Sequence, residues 1–124
     1  MSVLIDSDVL IEVSRARDAG LLARWREAGA SDRQILYSPV SLAELWAGVR
    51  PREQAALEAL FQGLTCAPIC EETGRMAGHF LRQYGKSHAL GMSDALIAAA
   101  AAVNAAALWT RNRKHYPMKE IGFY

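Results

Sequence analysis

Short apolar runs alternate with helix-spaced apolar positions along the whole chain. Residues 3–5 (Val-Leu-Ile) are typical of a buried strand, and they lead directly into Val9, Leu10 and Val13, which repeat with helical spacing. The same pattern predicts three further strands at residues 35–37, 65–69 and 107–110, with an additional strand at 121–123. The pattern therefore predicts a series of short buried strands separated by helices.

The segments between the strands carry the signals of helices. We predict a first helix from Val9 onward, a second over residues 18–28, a third that opens at Ser41, a fourth that opens at Pro51, a fifth over 71–84, and an alanine-rich helix from Ser93 to near Ala105. Short apolar strands that alternate with helices are typical of a parallel α/β sheet covered on both faces. No repeat or linker interrupts the pattern, so residues 1–124 are predicted to form a single domain.

The composition narrows the classes of protein further. Hydrophobic residues make up 52% of the chain, which excludes a disordered protein. The formal charge of +1 excludes a binder that works by bulk positive charge, although basic residues crowd near the C-terminus. Cys66 and Cys70 are too few for a disulfide scaffold or a zinc site, and we expect them to be half-buried. The longest apolar stretch, 95–103, is far shorter than the ~20 residues of a membrane helix, so a cytoplasmic protein is expected.

Three carboxylates are predicted to meet at one edge of the sheet. Asp6 ends the first strand, Glu44 is expected in the first turn of the third helix, and Asp94 opens the alanine-rich helix. The carboxyl ends of parallel strands form the ligand-binding edge of such a sheet. Carboxylates that cluster without a cation raise one another's pKa and cost stability, and hard oxygen ligands suit Mg²⁺ or Mn²⁺.

Each acid also has a purely structural interpretation. Asp6 could cap the first helix, and Ser41 with Glu44 matches a capping box. Asp94 could favour the positive end of a helix dipole. Together, these structural interpretations are less convincing than each is alone, because they do not explain why three acids share one edge.

Four blocks of sequence resemble the signature blocks of PIN-domain ribonucleases, and of VapC-type toxins in particular. They are residues 3–10 (VLIDSDVL), 41–45 (SLAEL), 93–99 (SDALIAA) and 110–116 (TRNRKHY), and they stand in the same order across nearly the whole chain. The resemblance implies a three-layer α/β/α sandwich with a central parallel sheet. It also implies a site in which Asp6, Glu44 and Asp94 are both catalytic residues and ligands of Mg²⁺, with Mn²⁺ able to substitute.

The last block departs from the family's pattern. Such nucleases often carry a further acid after the last main strand, where this chain has Asn112. Asn112 could position a metal-bound water or serve only as a turn residue, and Asp8 could contact the ion through water or serve as a helix-start acid. Arg111, Arg113 and Lys114 could hold RNA phosphates or form a solvated tail. His115 is expected to be ordinary surface, with a phosphate contact as the alternative.

The resemblance also implies a function and partners. RNA would be cleaved by metal-activated water, the chain would act as the toxin of a toxin–antitoxin pair, and a VapB-type antitoxin would block the site. A homodimer is implied as well. Membrane association is not expected.

Three other classes of protein share part of this pattern. A catalytically inactive PIN-like binding module would share the fold, and Asn112 keeps that alternative open. A phosphoacceptor signalling domain should carry an Asp at the end of a middle strand, which residues 65–69 lack, and a Lys close to the last strand, whereas Lys114 is displaced. A serine hydrolase is weaker still, because Ser93 lacks the second glycine of a nucleophile elbow.

Overall fold

The computed structural model describes residues 1–124 as four strands and six α-helices. The strands are β1 (Ser2–Ile5), β2 (Ile35–Tyr37), β3 (Thr65–Cys66) and β4 (Ala106–Trp109). The helices are α1 (Ser7–Arg15), α2 (Ala19–Ala30), α3 (Pro39–Ala47), α4 (Gln54–Gln62), α5 (Glu71–Tyr84) and α6 (Met92–Val103). Short 3₁₀ turns occupy Pro51–Glu53 and Arg113–His115.

All strand pairs in the sheet are parallel, and the strand order is β3-β2-β1-β4. In the central strand β1, Val3 pairs with Ile35 of β2, and Ile5 pairs with Trp109 of β4. The prediction of a parallel sheet is confirmed. Because β1 and β4 end side by side, the residues that follow them emerge at the same edge.

Helices cover both faces of the sheet, which confirms the three-layer α/β/α architecture. Successive residues of a strand point to opposite faces. Leu4 accordingly lies in a core shared with α5 and α6, whereas Val3 and Ile5 lie in a core shared with α1, α2, α3 and α4. The alanine-rich α6 buries Ile97 and five alanines: Ala95, Ala98, Ala99, Ala100 and Ala101. These small side chains let the helix lie close against β1 and β4.

Three helices begin earlier than predicted. The first begins at Ser7, not at Val9, because Asp6 caps it. The third helix opens at Pro39, not at Ser41, because proline fits the first helical position and Ser38 caps it by accepting from the Val40 amide at 3.2 Å. Glu44 therefore lies in the second turn, and the capping box of Ser41 with Glu44 is not formed. The alanine-rich helix begins at Met92 after Gly91, so Ser93 is exposed within its first turn and does not cap it.

Four other elements also differ from the prediction. The third strand stops at Cys66 instead of residue 69, because its partner β2 ends at Tyr37, after which Ser38 caps the next helix. The fourth strand spans Ala106–Trp109, one residue earlier than predicted. The fifth strand is wrong as a strand, since only one bridge joins Phe123 to Leu108. Pro51 opens a 3₁₀ turn, and α4 follows at Gln54.

The structure also shows where the cysteines lie and how long the helices are. Cys66 and Cys70 are both exposed free thiols, so the expectation that they would be half-buried is wrong. None of the helices is both long enough and apolar enough to cross a membrane.

Candidate active site

Asp6 is the centre of the candidate site and leaves β1 at the edge where β4 also ends. Its residue is only 6% exposed. One carboxylate oxygen accepts from the Ser7 amide at 2.7 Å, so Asp6 does cap α1, as its structural interpretation predicted. The other oxygen accepts from the Thr110 hydroxyl and the Tyr116 hydroxyl, each at 2.8 Å. Asp6 therefore has a structural role and also faces two buried hydroxyl groups.

Asp94 is connected to Asp6 through one phenol. The Tyr116 hydroxyl, which donates to Asp6, lies 3.3 Å from Oδ1 of Asp94. The second oxygen of Asp94 lies 2.8 Å from Nε2 of His115. His115 is half-buried in this pair, so the expectation of ordinary surface is wrong. The structure thus brings together Asp6 and Asp94 as predicted.

Asp8 joins the cluster from the first turn of α1. Its Oδ2 accepts from the Arg111 amide at 3.1 Å and lies 3.4 Å from the Thr110 hydroxyl. Its Oδ1 is buried and has no hydrogen-bond partner. A buried carboxylate oxygen without a partner is costly, because it has lost water and gained nothing in exchange. Asp8 is therefore the acid with an unused buried acceptor oxygen.

Glu44 is connected to the site through two serines. The Ser7 hydroxyl donates to Glu44 at 2.7 Å and lies 2.7 Å from the hydroxyl of Ser41. Both serines are buried, whereas Glu44 is exposed. Glu44 is therefore held at the rim of the site rather than against Asp6.

Burial and mutual repulsion shift the acids in the same direction. Burial, reinforced by the charge of Asp94, raises the pKa of Asp6 even though hydrogen bonds from Thr110, Tyr116 and Ser7 lower it. Burial and the charge of Asp6 raise the pKa of Asp8. Burial and the same acids raise the pKa of Tyr116, so its hydroxyl stays a hydrogen-bond donor. Carboxylates that resist ionisation in this way are stabilised by a nearby cation.

The side chains of the site suit a hard divalent cation that keeps several of its bound waters. They do not form a complete set of ligands around an ion. No group of three or more Asp, Glu, His or Cys side chains is arranged so that it could enclose an ion directly. Mg²⁺ usually takes only one or two protein carboxylates and keeps several waters. The clustered Asp6 and Asp94, with the unpartnered Oδ1 of Asp8, meet that modest requirement.

The hydroxyl groups of the site were missed by the sequence reasoning. Ser7, Thr110 and Tyr116 link the acids to one another, and Ser41 contacts Ser7; only Ser41 was predicted near an acid, as a capping-box partner of Glu44. All four lie inside the blocks that carry the family resemblance, which was the available signal. Asn112 is exposed, and its backbone amide donates to the Thr110 hydroxyl at 3.1 Å. Its side chain makes no hydrogen bond with an acid of the site.

The raised pKa values predict how stability depends on pH in the absence of metal. A carboxyl whose pKa is higher in the folded state than in the unfolded state destabilises the fold as pH rises through that interval. In EDTA, the free energy of unfolding of the wild type relative to Asp6→Asn should therefore fall as pH rises from about 4. Urea denaturation across pH measures this difference. A difference that is independent of pH would contradict the raised pKa of Asp6.

Comparisons with known proteins agree with this architecture. The family model of the PIN domain matches residues 3–122, and the chain belongs to the PIN domain family. Within it, the chain is 38% identical to Ribonuclease VapC10 of Mycobacterium tuberculosis over 123 residues, which is 95% of this chain and 88% of the relative. Ribonuclease VapC19 of the same organism is also 38% identical, over 93% of this chain and 92% of the relative.

Solved structures share the fold at low sequence identity. The Rickettsia felis VapBC2 structure, bound to a DNA fragment from its promoter, matches with a TM-score of 0.82 and 19% identity, covering 100% of this chain and 98% of that chain. The DNA-bound VapBC of Salmonella typhimurium matches with a TM-score of 0.84 and 16% identity, covering 100% and 97%. These likenesses confirm the fold over the whole chain.

Proposed function

We propose that this protein is a divalent-metal-dependent endoribonuclease and the toxin of a VapBC-type toxin–antitoxin pair. The observation that carries the proposal is the hydrogen-bonded acid cluster of Asp6, Asp8 and Asp94 at the carboxyl edge of the sheet. The relatives that share 38% of their residues with this chain over nearly its whole length are named ribonucleases. The acid cluster and the sequence similarity to named ribonucleases therefore support the same class of enzyme.

Asp6 and Asp94 would hold the cation, which is Mg²⁺ or, as a substitute, Mn²⁺. A divalent cation in such a site lowers the pKa of its bound water and stabilises charge on the phosphoryl oxygens. Glu44 would complete the shell or orient the attacking water from the rim, and Asp8 would contact the ion through water. We therefore propose Asp6, Glu44 and Asp94 as the catalytic residues. Glu44 acts from the exposed rim of the site.

The hydroxyl groups around the acids would fix their orientation. Tyr116 and Thr110 donate to the same oxygen of Asp6, and Ser7 holds Glu44 at 2.7 Å. Carboxylates fixed by buried neighbours lose little freedom when an ion or substrate arrives, and this preorganisation lowers the barrier. Asn112 would position water only if its exposed side chain turned toward the acids.

RNA phosphates would be held by basic side chains that flank the acids. Arg111, Arg113, Lys114 and His115 were the predicted contacts. His115 is engaged by Asp94 at 2.8 Å, and the Arg111 guanidinium lies 3.7 Å from Glu12, whereas Arg113 makes no ion pair with an acidic side chain. Of these four, Arg113 and the exposed Lys114 are the freer to meet a phosphate.

A VapB-type antitoxin is the proposed protein partner. The matching solved structures include a toxin–antitoxin complex from Klebsiella pneumoniae and a member of the VapBC family of toxin–antitoxin systems, which supports a partner of that class for this chain. A homodimer is also proposed. Light scattering would test it, because a dimer has twice the mass of the chain.

The ends of the RNA products test the proposed reaction. If water is the nucleophile, the products carry 5′-phosphate and 3′-hydroxyl ends, and a 2′-deoxy nucleotide at the scissile position is still cut. Mass spectrometry of the fragments distinguishes these ends. Cyclic 2′,3′-phosphates would contradict the reaction and would point to acid–base chemistry by a histidine, whereas no cleavage of any RNA would favour an inactive binding module.

A further inference from the structure

Three arginines surround the aromatic side chains at the outer edge of β4. The guanidinium of Arg24 lies 4.9 Å from the ring centre of Trp109 and 5.4 Å from that of Tyr124. The guanidinium of Arg33 lies 5.3 Å from the ring of Tyr124, and that of Arg113 lies 5.2 Å from the ring of Phe123. We call these six residues the arginine–aromatic patch: Arg24, Arg33, Arg113, Trp109, Phe123 and Tyr124.

The patch carries positive charge that no acidic side chain neutralises. None of its three arginines is paired with an Asp or Glu, and all three are exposed. Their polar contacts go to the backbone oxygen of Tyr124, from Arg113 at 3.0 Å and from Arg24 at 3.5 Å. Elsewhere on the surface the arrangement is different, because Arg15 and Arg17 both pair with Glu12. The patch therefore has N–H groups available for an anion.

One short segment connects the patch to the acid cluster. In residues 109–115, Trp109 and Arg113 belong to the patch, whereas the Thr110 hydroxyl contacts Asp6 and His115 contacts Asp94. Trp109 is one residue from Thr110 and Arg113 is two residues from His115, so the part of the patch that lies on this segment adjoins the acids. A polyanion that lies across the acids would reach the patch next.

We propose that the arginine–aromatic patch binds the sugar-phosphate backbone of single-stranded RNA beside the bond that is cut. This inference rests on the proposed ribonuclease function. A guanidinium stacked on a ring is held in place and still presents its N–H edge, which matches a phosphate in two contacts. The half-buried rings of Phe123 and Tyr124 are themselves covered by these guanidiniums, so they serve to hold the arginines in place. RNA is favoured over an acidic peptide because the patch adjoins the acids at which RNA is proposed to be cut.

Binding by an inactive variant tests the patch without cleavage of the probe. In the Asp6→Asn background, Arg24→Ala with Arg33→Ala is compared with Arg52→Ala with Arg75→Ala, two exposed arginines that lie outside the patch and change the net charge equally. Fluorescence anisotropy with a labelled uridine 12-mer is measured over a range of KCl concentrations. The patch pair should bind about tenfold more weakly, and its slope of log affinity against log salt should become shallower by about 1.4, or 0.7 for each lost phosphate contact.

The other outcomes separate the two claims. Equal slopes for the patch pair and the control pair, in a protein whose wild type cleaves RNA, overturn the patch alone. A lower melting temperature with an unchanged slope also overturns it, since the arginines would then only tie α2 to the C-terminal residues. Loss of antitoxin binding with an unchanged slope overturns it in favour of a peptide surface. A wild type that neither binds nor cleaves RNA overturns the proposed function and the patch together.

Discussion

Asp6→Asn lowers the rate of RNA cleavage by on the order of a thousandfold or more while the protein stays folded. The substitution removes a negative charge from the centre of the acid cluster, where a cation would need it. It keeps an oxygen that can accept from the Ser7 amide, and asparagine is as good a helix cap as aspartate. Loss of the charge also relieves repulsion with Asp94, so the melting temperature without metal should hold or rise. Asp94→Asn should behave in the same way.

A matched control separates charge at the site from helix capping. Asp18 caps α2 through its side chain, which accepts from the Leu21 amide at 3.0 Å, and it lies outside the acid cluster. Asp18→Asn should therefore leave cleavage within about twofold of the wild type. Initial rates and melting curves of the three proteins are the measurement. An Asp6→Asn protein that unfolds, or one that cleaves at the wild-type rate, would show that Asp6 serves only as a cap.

Removal of divalent cations with EDTA abolishes cleavage by the wild-type protein, and Mg²⁺ or Mn²⁺ restores it. The carboxylates of the cluster are hard oxygen ligands, which suit these two ions. Initial rates after dialysis against EDTA, and again after each metal is added back, measure the effect. Full activity in EDTA would contradict the proposed cofactor.

The order of strands and helices could be predicted from periodicity, but several ends could not. The spacing of apolar residues predicts buried strands such as β1 and long amphipathic helices such as α5. Helix α5 spans Glu71–Tyr84 as predicted. Helix starts depend on which of several serines caps the helix, and that choice was decided by packing, which placed Ser41 against Ser7 instead. The end of β3 depends on its partner, because β2 stops at Tyr37 and leaves residues 68 and 69 with no strand to pair with.

The acids of the site could be predicted in position but not in arrangement. Parallel topology places the residues after β1 and β4 at one edge, so Asp6 was expected there before any contact was known. Sequence spacing does not reveal which hydroxyl groups reach those acids. Tyr116 contacts Asp6 from 110 positions away, and the same contact places Asp94 beside it. The role of His115 was missed for the same reason.

Calorimetric titration with Mn²⁺ tests most directly whether the acid cluster holds the catalytic cation. The titration compares the wild type, Asp6→Asn and the capping control Asp18→Asn in buffer without RNA. We expect saturable binding by the wild type and the control, and at least tenfold weaker binding by Asp6→Asn, because a unit charge a few Å from the ion contributes several kcal/mol even at an effective dielectric near 20. Equal affinity and stoichiometry in all three proteins would contradict the account, since the cation would then bind elsewhere.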